Sequence, residues 1–568
     1  MRSIFRMDRT TSWRRRPKGR AVWFGPVTRP LFGWYSVPDD GMVRGTVVCC
    51  NPIGTEADNA QVAFDALEER LTASGVAMLR FDYDGTGDSA GSWSDPARLE
   101  SWLESARRAL RFARDTSTGC VALLGMRMGA LIASEVAGQE GGPYPLVLWD
   151  PCHSGRHFLR EQTVLLAAAY GVDQPADGSV EGPALVYSES TVADLRAFDP
   201  LGRAEPVASR VLLLTRPERP PRDVMASMVA ESRAEWRTAS GLPELLDIPG
   251  HNVVPESDVG FVSSWLGATF DDGAERVDVD RWAAEAVVTE PSGVSVRERA
   301  VYLGDVPLSG ILSMPMSGEG PLDYVFLSAG ALSRSGPARM WTELARRWSA
   351  AGLRCLRVDL SGLGYSGVRA GQSRQVVLAP EALDDLHVIA SGLGKPDGRD
   401  LVFIGLSAGG YLAVESGIQL RPRGVFTVNP SLSAVPPECV SGRASPRRRA
   451  SRPMPAWLRA IGVEHKRISE RIFRSICQVA VSRSPLGPIV TTASRGAVVK
   501  VLVCEEEAKR ISGNIYWSIR AWGSARRGRL QVQVVPGRDH SLYTRDSRVP
   551  AMDTLTEWAL DMSLFSNR

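Results

Sequence analysis

The residues that most directly announce chemistry are scarce here. Six histidines and eight cysteines are spread over 568 residues. Apart from the adjacent pair Cys49 and Cys50 the cysteines stand alone, so neither a disulfide framework nor a zinc site has its spacing. The thiols read as reduced and mostly buried, and no metal or other cofactor is expected. Net charge is only +3, from 67 basic and 64 acidic residues, which removes the global attraction a nucleic-acid binder needs. No stretch approaches the roughly 18 to 20 apolar residues of a membrane span. The Arg-rich start (Arg14, Arg15, Arg16, Lys18, Arg20) is not followed by a signal-peptide core. The cytoplasm is therefore the expected compartment, and residues 1–20 read as a disordered leader.

What the chain does have is apolar content and length. With 44% hydrophobic residues it can bury a real core, but single cores stop growing at roughly 250 to 300 residues, so two domains are expected. An internal repeat supports the division. LTASGVAMLRFDYDGTGDSAG, from Leu71 to Gly91, is echoed by WSAAGLRCLRVDLSGLGYSG, from Trp348 to Gly367. VALLGMRMGA, from Val121, is echoed by LVFIGLSAGG, from Leu401, and ELLDIPGHN, around His251, by QVQVVPGRDH, around His540. The offset of about 280 residues is far beyond solenoid periods, so the order-preserving echoes predict a duplicated domain. Apolar strands alternate with amphipathic helices in each half, which predicts a mostly parallel sheet covered on both faces. The expected boundaries are a first domain over 21–270, a linker over 271–298 with an extra strand near Ala300–Leu303, and a second domain over 299–568.

The second half carries a G-x-S-x-G motif from Gly405 to Gly409 between the β-branched run LVFIG and the helix AGGYLAVESGI. That pattern puts Ser407 on a strained strand-to-helix turn, where small neighbours let strand and helix close up and expose the hydroxyl. A serine needs a base, and a base needs an orienting acid. His540, after the strand LQVQVV, is the expected base; His387 and His465 sit in helical patterns and read as structural. The loop after VVKVLVC offers Glu505, Glu506 and Glu507, of which Glu506 is favoured. An oxyanion would be met by the N–H groups of Ala408 and of Ala331, in the loop SAGALSRSGP. Asp82 and Asp359 read as loop-holders.

In the first half the elbow reads Gly125-Met126-Arg127-Met128-Gly129. Arginine stays protonated and cannot attack a carbonyl, so serine-type chemistry is absent there, although His251 and an acid at Glu218 or Asp223 remain. The half is either a structural copy, or Arg127 binds a carboxylate or phosphate at the pocket floor.

These motifs resemble the α/β-hydrolase superfamily, twice over. The first half, with PLFGWYSVP, NPIGTE and GMRMGA, is similar to bacterial hydrolase-like proteins associated with exosortase systems, in which an arginine elbow is also met. The second, with SAGALSRSGPARMW, GLSAGG and GRDHSLYTRD, is similar to serine-aminopeptidase-like (S33-type) hydrolases and esterases. The resemblance implies Ser407 as nucleophile, His540 as general base and a carboxylate among Glu505 to Glu507, with glutamate standing where the family has aspartate. It leaves open esterase, thioesterase, peptidase and acyltransferase chemistry.

About 70 residues separate GVFTVNP from VVKVLVC, which predicts a helical cap over Ser407. Its Arg run, GRASPRRRASRP, reads as a solvated loop or as a recruiter of an anionic substrate such as a coenzyme A or carrier-linked thioester; Trp457 and Leu458 are expected to line an acyl pocket or to pack the cap down. The expected partner is a small acyl substrate. The rivals are a non-catalytic scaffold for a biosynthetic partner and an aminopeptidase, the latter disfavoured by a cap poor in carboxylates.

Overall fold

The computed structural model describes residues 19–566 except 117–118, 143, 204, 247–249, 280–281, 283, 319, 432–486, 506–507, 509–527 and 538. Two large sheets organise the chain. In spatial order the first runs Gly19–Phe24, Leu31–Ser36, Val76–Phe81, Gly45–Cys50, Cys120–Met126, Leu146–Trp149, Val211–Thr215 and Glu235–Thr238. The second runs Glu285–Thr289, Ser295–Leu303, Leu308–Pro315, Arg354–Val358, Asp323–Leu327, Leu401–Leu406, Gly424–Val428, Val498–Cys504 and Leu530–Val535. Omitting the strand at 285–289, the two orders coincide. Each has antiparallel pairing at its leading edge and parallel pairing from there to its far edge. The central strands, such as LVFIGL and LVLW, are apolar without alternation because helices cover both faces.

The stretch expected to be a linker is largely structured. Glu275–Arg276 pairs with Met42–Val43 in the first half, whereas Glu285–Thr289 adds an antiparallel edge strand to the second sheet. Trp282 packs edge-on against Tyr35, with ring centroids 5.2 Å apart. The contacts of Glu275–Arg276 and Trp282 are long-range, so a local reading of composition missed them; Glu285–Thr289 closes a local hairpin with Ser295–Leu303. The first strand likewise begins at Gly19, inside the expected leader.

The halves meet through their antiparallel edges. Ala21, Phe32 and Trp34 of the first sheet pack on Ala300 and Ile311 of the second. Around this apolar patch lies a buried charged network. Arg339 donates to the carbonyls of Gly87 (2.9 Å), Ser89 (2.5 Å) and Gly91 (2.9 Å), and Arg346 donates to the Asp88 carbonyl (2.7 Å) and pairs with Glu298 (2.7 Å). Arg357 pairs with both Asp88 and Glu298.

Between Leu146–Trp149 and Val211–Thr215 the first half inserts the helices Gly155–Tyr170 and Glu189–Ala197, and the short hairpin Val180–Glu181/Val186–Tyr187. The corresponding insertion of the second half, including the Arg run, Trp457, Leu458 and His465, lies outside the described residues apart from the helix Gly487–Ser494. No described helix is long and apolar enough to cross a membrane.

Candidate active site

Ser407 lies between the buried strand Leu401–Leu406 and the helix Ala408–Gln419, at φ 55° and ψ −116°. A positive φ is costly for a non-glycine residue and persists only where the surroundings impose it. They do so by close packing. A Cβ at Gly405 would collide with the Gly409 carbonyl, and one at Gly409 with the Ser328 carbonyl. The Ser407 N–H continues the sheet by donating to the Val428 carbonyl at 2.9 Å, and the Ser407 carbonyl accepts from the Ser431 N–H at 3.1 Å. The hydroxyl is thereby turned outward at the carboxyl ends of the parallel strands, where open α/β sheets bind their ligands.

His540 reaches the same point from the loop after Leu530–Val535. Its Nε2 stands 3.0 Å from Ser407 Oγ, across 133 residues of sequence. Its carbonyl accepts from Asn429 Nδ2 at 2.8 Å, and Asn429 Oδ1 accepts from the Cys504 N–H at 2.8 Å. Asn429 thus ties the histidine loop to the end of the strand Val498–Cys504, from which the expected acid loop departs. Ser431 Oγ lies 3.2 Å from Ser407 Oγ. The sequence reading named neither Asn429 nor Ser431. The signal was available, since both follow the strand GVFTV next to the elbow, where adjacent parallel strands deliver side chains to one rim.

Of the expected acids, Glu506 and Glu507 lie outside the described residues, and Glu505 is exposed just after the strand. Ala408 opens its helix, so its N–H is one of the first-turn donors without an intrahelical acceptor. Ala331 follows Gly330, whose φ is 64°, in the loop after Asp323–Leu327. Asp359 holds its loop. It accepts from the Arg334 N–H (2.6 Å), Arg334 Nη1 (2.8 Å) and the Tyr365 N–H (3.1 Å). His387 is a surface contact to Gln419.

The first half reproduces this frame with other side chains. Arg127 has φ 57° and ψ −120°; its N–H donates to the Trp149 carbonyl (3.0 Å), and its carbonyl accepts from the Cys152 N–H (3.3 Å). Asp150, at φ 43°, stands where Asn429 stands at φ 40°. Of the two readings of Arg127, a structural copy or a binder of a carboxylate or phosphate, its surroundings favour the first. Nε donates to Glu56 (3.1 Å), Nη1 to Asp150 (2.8 Å) and Nη2 to Glu161, and the residue is 2% exposed. Each of its three nitrogens already meets a carboxylate, from three separate segments, so its charge is compensated within the chain. Burial pushes the Glu56 carboxyl up, against the pull of Arg127. His251 is exposed, and Glu218 and Asp223 lie on the surface.

Two cavities lie apart from Ser407 and His540, neither of which lines them. One of about 130 Å³ lies between the halves, lined by residues including Asn51, Asp58, Asp82, Arg334 and Tyr365. Burial, together with the charge of Asp82, lifts the Asp58 carboxyl to about 7; burial and the neighbouring Asp88 lift Asp82 to about 6. Another of about 180 Å³ lies by the first-half elbow, lined by residues including Asp150, His153, His157 and Arg219. Among the described residues no group of three or more His, Cys, Asp or Glu side chains is arranged to hold a metal ion.

Residues 324–550 match the model of the Alpha/beta hydrolase family, which places an alpha/beta-hydrolase domain in the second half of the chain. No curated protein sequence matches this chain. Similar solved structures include Est1E from Butyrivibrio proteoclasticus with ferulic acid bound, at 17% identity, covering 44% of this chain and 97% of that one, TM-score 0.33. An esterase of Pyrococcus furiosus is 15% identical over 44% of this chain and 91% of its own, TM-score 0.32. Proline iminopeptidase of Mycobacterium smegmatis is 14% identical over 47% and 99%, TM-score 0.29.

Proposed function

We propose that the second half is a serine hydrolase that cleaves a carboxylic ester or thioester, or transfers its acyl group, through an acyl-enzyme on Ser407. The two halves are read as repeats of one hydrolase domain, of which the first has kept the frame and lost the nucleophile. The observation that carries the catalytic reading is the 3.0 Å approach of His540 Nε2 to Ser407 Oγ, within the reach a general base needs.

In this mechanism Ser407 Oγ attacks the acyl carbonyl carbon while His540 takes its proton. The carbonyl oxygen becomes an oxyanion, met by the N–H groups of Ala408 and Ala331, each contributing on the order of 3 kcal/mol in the transition state. Collapse breaks the bond to the alkoxide or thiolate, which leaves with the proton from His540. Water or an acceptor alcohol, deprotonated by the same imidazole, then attacks the acyl-serine, and the product departs with Ser407 reprotonated. A carboxylate among Glu505 to Glu507 is assigned to orient the imidazole. The expected substrate is a small acyl compound, coenzyme A- or carrier-linked forms included.

The test is a screen of p-nitrophenyl esters of graded chain length, acyl thioesters and aminoacyl amides, run on wild type and Ser407→Ala, together with fluorophosphonate labelling. Turnover and labelling that vanish in Ser407→Ala support the reading. A folded wild-type protein that neither labels nor turns over any of them sinks it and leaves a scaffold; turnover confined to the amides makes it an aminopeptidase.

A further inference from the structure

The first half touches the histidine loop of the second, and it does so with a carboxylate. Glu181 sits in the hairpin Val180–Glu181/Val186–Tyr187 of the first-half insertion. Its own N–H and carbonyl are both taken by the Gln174 side chain, each at 2.9 Å, so its backbone is fixed on both sides. The residue is 6% exposed, and its Oε1 accepts the backbone N–H of Arg545 at 2.8 Å. Arg545 is the first residue of the terminal helix Arg545–Ser566. Three residues along the hairpin, the Ala184 N–H donates to the Tyr543 carbonyl at 3.3 Å.

The segment so gripped begins immediately after His540. On its inner side Asp539 accepts from the Ser541 N–H (2.9 Å) and the Thr544 N–H (2.8 Å). Arg548 donates to the Tyr543 carbonyl at 2.7 Å, and its guanidinium lies 5.4 Å from the ring of Trp93 in the first half. Within its own half the loop is held by Asn429 at the His540 carbonyl and by the Asp539 bonds, and beyond Leu542 the first half supplies further partners.

We infer that Glu181 is a positioning residue for His540, so that the half without a nucleophile sets the geometry of the half that has one. The inference rests on the reading of Ser407 and His540 as the acyl-transfer pair. A carboxylate suits the place for two reasons. First-turn N–H groups of a helix have no intrahelical acceptor, and the helix dipole favours negative charge there. Glutamine keeps the acceptor and loses only the charge, whereas alanine removes the acceptor of the half-buried Arg545 N–H and frees the segment that fixes His540.

The experiment compares wild type, Glu181→Ala and Glu181→Gln, with kcat taken per fluorophosphonate-titrated site so that misfolded protein does not enter. In Glu181→Ala, kcat falls about tenfold or more with KM within about twofold, because a displacement near 1 Å costs up to 100-fold. Glutamine restores it to within about threefold, since the hydrogen bond is retained. A second readout does not need turnover: diethylpyrocarbonate modification of His540, followed by mass spectrometry, speeds up about fivefold or more in Glu181→Ala and not in Glu181→Gln, as expected of a loosened loop. An unchanged His540 modification rate in Glu181→Ala overturns the inference whether or not the protein turns over. An unlabelled, inactive wild type in which that rate still rises sinks the acyl-enzyme reading and leaves the positioning contact standing.

Discussion

Asp88 and Arg357 form an ion pair across the boundary between the two halves, and the partners hold positions that meet a second time with the halves exchanged. In the echoed segments Arg80 aligns with Arg357, and Asp88 with Tyr365. The Arg80 guanidinium lies 5.0 Å over the ring of Tyr365, so one contact is an ion pair and its counterpart a cation–π pair. Each half presents the same edge to the other, as in a two-fold dimer whose chains have been joined.

That relationship makes Asp88 costly to remove. Burial pushes its carboxyl up, but Arg334, Arg357 and Arg346 outweigh it and hold the group at about 2. Truncation in Asp88→Ala leaves buried guanidinium charge short of a partner, a change that typically costs about 3–5 kcal/mol. Urea unfolding checks the value; a loss below about 1 kcal/mol would refute the account. The pH dependence has a fixed sign. The folded value is below the ordinary 3.8, so the contribution is complete above about pH 4 and is lost as pH falls through about 2, a decline that Asp88→Asn abolishes.

Asp58 has the opposite sign. Its carboxyl is held at about 7 against an ordinary 3.8, so the native state binds the proton more tightly than the unfolded chain. Stability therefore declines as pH rises from about 4 to 7 and is flat beyond. Asp58→Asn removes that decline and is expected to stabilise the protein at pH 8 by roughly 2 kcal/mol, less than the full shift because the side chain keeps some solvent contact. Thermal melts of both proteins at pH 5 and pH 8 measure it, and parallel pH profiles would contradict it.

How much of this was legible beforehand follows from sequence distance. The turn at Ser407 could be read because Gly405, Ser407 and Gly409 lie within five residues, and the strands because their apolar runs are local signals. The network of Arg334, Arg346 and Arg357 could not. Arginine is rarely buried unless paired, and Asp88, one of their partners, lies some 250 residues upstream. The same reason explains Arg127: an arginine on an elbow reads as an open cation until Glu56, Asp150 and Glu161 are brought to it by three separate elements. The strand at 285–289 carried local signals, a β-branched EAVVT run before the turn at Pro291–Gly293, and pairs with the neighbouring Ser295–Leu303; reading the stretch as a linker passed over them.

Asn429 connects stability to chemistry. Its side chain bridges the His540 carbonyl and the Cys504 N–H, and its φ of 40° is a conformation asparagine tolerates better than most residues. Asn429→Ala leaves a buried donor–acceptor pair unmet and adds backbone strain, together about 2–4 kcal/mol. Because the freed carbonyl belongs to His540, ester turnover per titrated site should fall with the stability. A variant that is destabilised yet fully active would show that the bridge supports the fold without setting the histidine.

Arg127→Ser places a serine on a backbone already bent as at Ser407, with φ 57° against 55°. It should nonetheless yield no hydrolysis. Asp150 and Glu161 would remain as carboxylates where an oxyanion needs donors, and His251 is exposed. The removed guanidinium also leaves the buried Glu56 without its ion-pair partner, while Asp150 keeps Arg216 and Glu161 keeps Arg219, so both Arg127→Ser and Arg127→Ala should lose about 3 kcal/mol in chemical denaturation. In the double variant Ser407→Ala/Arg127→Ser, fluorophosphonate labelling at residue 127 would contradict the reading that the first half's carboxylates, and not merely its missing hydroxyl, keep it silent.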